Sequence, residues 1–154
     1  MTPLFKKLNL STHDRIVVLN APSSFEPELT ALEGITVQRS LGRSKVGFVV
    51  AFVQTLAEIE TLAGKLNQAE GDAIVWLAYP KQTSRKYTCE FNRDTGWAAL
   101  GEKGFEPVRQ VAIDADWSAL RFRRVEFIRT LTRDPSRTLS NEGKARTKKP
   151  KEPS

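Results

Sequence analysis

The stretch KQTSRK, residues 81–86, brings three cations and two hydroxyls into one short loop. Ammonium, guanidinium and hydroxyl donors at that density suit a phosphate or a carboxylate, with loop amides assisting. The same composition suits a solvated loop that merely ends a strand, and without a glycine-rich cradle the two readings weigh equally. Lys81, Ser84 and Lys86 are the candidate contacts to a ligand's charge, with Thr83 and Arg85 beside them. Asp114 and Asp116 form a second constellation. Carboxylates that close share a metal or a proton, and either one is a candidate base. Asp at a tight turn is common for conformational reasons alone, and that reading is the stronger. Trp117 is the ring best placed to stack on a planar ligand, and Asn20 the amide placed to orient one. Arg121 and Arg123 alternate with Leu120 and Phe122, so they share one face of a strand as a basic stripe or as paired ions. Cys89 lies near Arg85 and Lys86 but has no evident base, and His13 has no nearby partner. Neither reads as catalytic.

These residues need elements to position them. RIVVL (15–19), VGFVVAFVQ (46–54) and DAIVWLAY (72–79) are near-continuous apolar runs, the pattern of strands buried on both faces. ITVQRSL (35–41) alternates, as an edge strand does. Ser23 with Glu26 three residues on predicts a capping box, followed by a helical stripe of Phe25, Leu29 and Leu32 that Gly34 ends. Residues 55–67 form an amphipathic pattern through Leu56, Ile59, Leu62 and Leu66. A helix over about 93–103 centres on Trp97 and Leu100. VRQVAID (108–114) and WSALRFRRVEF (117–127) are separated by two residues, which predicts an antiparallel hairpin. Leu4, Phe5, Leu8 and Leu10 make a short docked lead-in. Strand–helix alternation with apolar strands predicts a mostly parallel sheet between helical layers. The expectation is therefore a Rossmann-like α/β three-layer sandwich closed by a C-terminal antiparallel hairpin, a shortened methyltransferase-like topology. In such sheets ligands sit at the carboxyl ends of the strands, near the switch point. That rule selects the loops at 20–24, 54–55, 80–86 and 114–117.

The totals bound the rest. A chain of 154 residues fits one domain, here 1–128. No run approaches the ~20 apolar residues that span a bilayer. The first residues lack the apolar core of a secretory signal. One cysteine excludes an intrachain disulfide, and one Cys with one His excludes a Cys/His zinc site within the chain. A cytoplasmic location and no metal are the natural expectations. Net charge is +6, but residues 129–154 hold eight Lys/Arg against three Asp/Glu. That segment carries +5 and leaves +1 for residues 1–128. It is expected to be a basic, largely disordered tail.

The segments VVLNAP (17–22), FVVAFVQT (48–55), the W-x-A-x-P-K strand end (76–81) and the D-x-x-W-S-x-L-R-F hairpin (114–122) resemble the uncharacterised bacterial domain of unknown function 3052 family. The resemblance covers roughly residues 8–128. It implies a small cytosolic bacterial protein and assigns no activity. The strand order also resembles a shortened class I methyltransferase core. That signature has a glycine-rich turn after the first strand and an acidic residue ending the second. Those places hold NAPSSF and Arg39-Ser40, so the likeness carries the fold and not the methionine-derived cofactor.

Two functions follow from different classes. The first is a small anionic ligand or nucleotide at the strand-end rim, held by Asn20, Lys81, Ser84 and Lys86 and stacked on Trp117, with Asp114 beside it. The alternative is a nucleic-acid accessory protein using the run KARTKKPK, that is Lys144, Arg146, Lys148, Lys149 and Lys151, together with Arg121 and Arg123. A weaker third is an enzyme with Asp114 or Asp116 as its base.

Overall fold

A computed structural model describes residues 2–42, 45–92 and 94–128. Six strands form one sheet: β1 (Arg15–Leu19), β2 (Thr36–Gln38), β3 (Val46–Phe52), β4 (Ala69–Pro80), β5 (Phe105–Ala112) and β6 (Trp117–Arg124), in the order β2-β1-β3-β4-β6-β5. The β2-β1-β3-β4 part is parallel, and β4-β6-β5 is antiparallel. The direction of winding reverses between β1 and β3, so their carboxyl ends flank the crevice where such sheets hold ligands.

Alternation sends each strand's side chains to two cores. On one face Phe48, Val50, Trp76 and Trp117 meet the lead-in helix α1 (Pro3–Lys7) and the short helix α2 (Glu26–Thr30). On the other, Val75, Leu77 and Phe122 meet α3 (Leu56–Ala63) and α4 (Ala98–Glu102). The apolar run of β4 is thus explained: Ala73 to Pro80 is buried throughout. The lead-in is part of the core. Leu4, Phe5, Leu8 and Leu10 are all buried, and Trp76 Nε1 donates to the Leu8 carbonyl at 2.8 Å.

Several boundaries differ from expectation. The capping box is absent at Ser23: its carbonyl, not its side chain, takes the Glu26 N–H in a 3-10 turn, and α2 has no side-chain cap. The Glu26 carboxylate goes instead to Arg39. A complete box forms at Thr55 and Glu58, at the start of α3. The helix over 93–103 shrinks to α4, because Gly96 sits at φ +94° and the Asn92 side chain accepts from the Asp94 and Thr95 amides in a turn. The hairpin forms, with β5 beginning at Phe105 rather than residue 108. Among the described residues no helix is long and apolar enough to cross a membrane. The tail residues from Lys144 to Lys151 lie outside the described residues.

Candidate functional site

The expected rim divides into two places. At the first, the loop after β4 folds onto the β5–β6 turn. The Lys81 amide donates to the Asp116 carbonyl at 2.7 Å, and Ser84 Oγ donates to Asp116 Oδ1 at 2.8 Å. The same Ser84 oxygen accepts from the Lys86 and Tyr87 amides. Its only proton is therefore committed to a carboxylate, and its role is to close the loop. Asp114 Oδ1 accepts from the Asp116 and Trp117 amides, the conformational role of Asp in a turn. Both carboxylates in question thus hold the loops.

Trp117 corrects the expectation of a stacking platform. It is 1% exposed, with Phe52 edge-on at 5.1 Å and Tyr87 tilted at 4.9 Å, so no face is left for a ligand ring. Strand alternation explains the difference: Trp117 begins β6 on the α1 face, where the sheet already carries Phe52. Lys81 remains at the mouth of two open cavities, and Lys86 lies over the Tyr87 ring at 5.7 Å. Cys89 is half-buried, and burial pushes its thiol pKa up, away from the reactive thiolate.

The second place is the switch-point crevice. Asn20 follows β1 in a left-handed conformation, φ +57°, which Asn tolerates better than most residues. It makes the sharp exit that a glycine makes elsewhere. Asn20 lines a cavity of about 370 Å³ with Arg39 and Ser40 from the end of β2 and Thr61 and Lys65 from the α3 side. Leu19, Ala51, Val53 and Leu62 form its apolar wall. Asn20 and Lys81, expected together, line different cavities.

Charge in the crevice is tied in a definite way. Arg39 makes two bonds to Glu26, at 2.9 and 2.7 Å. That hydrogen bonding holds the Glu26 carboxyl below its ordinary pKa and raises that of Arg39. Glu58, also in the crevice, accepts from the Gln54 and Thr55 amides, and the Glu90 carboxylate takes the Leu56 amide. The α3 N-terminus is thus already occupied by carboxylates and is closed to an incoming anion. Arg39, Ser40 and Lys65 line this crevice and were not among the expected contacts. Their signal in the sequence is Arg39 itself, twenty positions beyond the end of the first strand, where an acidic residue reads a ribose in related sheets.

No protein-family model matches the chain, and no curated protein matches it. Among solved structures the chain is similar to ribosomal protein L11 methylase from Lactobacillus delbrueckii subsp. bulgaricus. The identity is 12% and the TM-score 0.50, over 79% of this chain and 76% of that one. It is also similar to a protein in the NADB-Rossmann superfamily from Streptococcus agalactiae, at 11% identity and a TM-score of 0.46, over 80% and 68%. The first likeness, with the sheet order described above, shows a methyltransferase-like α/β fold. The crevice does not fit the methionine-derived methyl donor of such folds. The end of β2 holds a guanidinium where a diol-binding carboxylate is needed; Glu26 is bound to that guanidinium, and Glu58, the acid that lines the crevice, is taken up by the Gln54 and Thr55 amides.

Proposed function

We propose that this chain binds a small anionic ligand of the nucleotide class in the crevice between the carboxyl ends of β1 and β3. The observation that carries this reading is the cavity of about 370 Å³ at the switch point, with an apolar wall and the cations Arg39 and Lys65 at its rim. That volume lies within the range of small-molecule sites, about 300–1,000 Å³. Its placement follows the general rule for open α/β sheets. Asn20 orients the ligand, and Arg39 exchanges Glu26 for the ligand's phosphate or carboxylate, which offers the same bidentate geometry. The same reading keeps the chain with the domain of unknown function 3052 family, on the LNAP, W-x-A-x-P-K and D-x-x-W-S-x-L-R-F segments, and with a cytosolic location.

The test is a thermal-shift screen of mononucleotides, dinucleotides, sugar phosphates and inorganic phosphate, followed by titration calorimetry on any hit. A ligand at one hundred times its Kd stabilises the fold by about 2.7 kcal/mol. An Arg39→Gln/Lys65→Gln variant is expected to lose that shift and, without ligand, to melt only slightly below wild type, because the Arg39–Glu26 pair it breaks is exposed. A Lys81→Ala/Lys86→Ala variant is expected to retain it. Loss of binding in the second variant with retention in the first moves the site to the β4 rim and sinks the crevice assignment.

A further inference from the structure

We propose that Arg109 and Arg121, on the antiparallel end of the sheet, bind the phosphate backbone of a nucleic acid. The argument starts from strand alternation. Leu120 and Phe122 face the α3–α4 core, so Arg121 and Arg123 of β6 face the opposite side. A regular β5 would set Val108 opposite Arg121. The register instead shifts between Pro107 and Arg109, and Arg109 falls directly opposite Arg121. Val108 becomes the extra residue of a bulge and is 39% exposed. Like charges directly opposite on paired strands are destabilising. Bulges of this kind re-aim a side chain. Here one aims a cation at another cation.

The neighbouring arginine shows what compensation looks like. Arg123 makes two bonds to Asp72, at 2.7 and 2.9 Å. Glu106, opposite Arg123, is fully buried. Arg109 and Arg121 make no side-chain hydrogen bond or ion pair among the described residues, and Arg121 Nε is buried without a partner. Burial first and then Arg123 pull the Arg121 pKa down, Asp72 offsets them in part, and Arg109 adds a smaller push in the same downward direction. A half-buried guanidinium facing a second, exposed one across the strand pair offers its terminal N–H groups, with those of Arg109, to an oxyanion that accepts from both.

A further cation favours a polymer over a single ion. Lys7 Nζ donates to the Ala112 carbonyl, three residues along β5 from Arg109, and extends the positive charge along that strand, which suits successive phosphates. The contacts proposed are to the backbone, so recognition is independent of base sequence.

The test uses the full chain and a fluorescein-labelled oligothymidine, read by anisotropy across a salt series. Arg109→Gln/Arg121→Gln is expected to weaken binding about tenfold at physiological salt and to flatten the slope of log K against log salt by about 0.7 for each lost contact. Its melting temperature stays level or rises, because two opposed cations are gone. Asp72→Asn, which frees Arg123, is expected to tighten binding roughly threefold. Wild-type affinity and slope in the double variant overturn the proposal and assign binding to residues 129–154. So does failure of the wild type to bind. Displacement of the oligonucleotide by equimolar inorganic phosphate makes this a single-ion site, and equal affinity for polyglutamate makes it a protein-docking face. Either result also overturns the proposal.

Discussion

Ser84 shows how far a residue's type carries. A hydroxyl among three cations reads as a ligand contact, and the loop it belongs to does reach the strand-end rim. The partner that takes its proton, Asp116, is 32 residues on, and no local pattern announces that meeting. Asp114 was legible as a turn former because its hydrogen bonds are local. Arg123 shows the converse, since its partner Asp72 is 51 residues away. That pair makes a pH prediction. The Arg123 hydrogen bonds hold the Asp72 carboxyl below its ordinary pKa. A depressed carboxyl contributes stability above its unfolded pKa, about 3.9, and loses it as pH falls through the lower folded value. Asp72→Asn is therefore expected to lower the melting temperature at neutral pH, by a small amount because Asp72 is exposed and Arg123 partly so. The gap to wild type closes below about pH 4. A gap that stays constant into acid would show that the loss is not electrostatic.

Helix starts carry the same lesson one level up. Ser23-x-x-Glu26 and Thr55-x-x-Glu58 match one pattern, yet only the second forms a capping box. The difference lies outside the pattern. Pro27 gives α2 a position without an N–H, and Arg39, brought up at the end of β2, takes the Glu26 carboxylate. Thr55→Ala is expected to cost about 1 kcal/mol in a urea titration, whereas Ser23→Ala stays within about 0.5 kcal/mol of wild type. Equal losses would mean that Ser23 caps in solution. Periodicity identified all six strands, because burial on both faces or one face leaves a mark along the chain. It did not reveal the bulge at Val108, since the run PVRQVA alternates no less well when paired in the wrong register.

At the scale of the molecule the layer order was legible and the make-up of the crevice was not. Apolar strands alternating with helices are enough for a parallel sheet between two layers. The crevice depends on β1 lying between β2 and β3, which brings Arg39 and Lys65 to Asn20 across 19 and 45 positions of sequence. The lead-in proved to be core rather than trim. Removing residues 1–10 strips out Leu4, Phe5, Leu8 and Leu10, each worth roughly 1.5–3 kcal/mol when fully buried. The combined loss rivals the ~5–15 kcal/mol net stability of a typical domain. The shortened chain is expected to lack a cooperative melting transition by circular dichroism. A transition within a few degrees of the full chain would contradict that role for α1.

The bond from Trp76 to the Leu8 carbonyl also dates the assembly of the fold. The two residues are 68 apart, and at about 5–20 residues per second the ribosome makes Leu8 several seconds before Trp76 exists. Phe25 and Phe48 reach the Phe5 ring sooner, but the strand that closes over Leu8 is β4, the fourth of the six in chain order. Burial of this helix is thus completed only once β4 exists, and until then it keeps an apolar edge open to a chaperone.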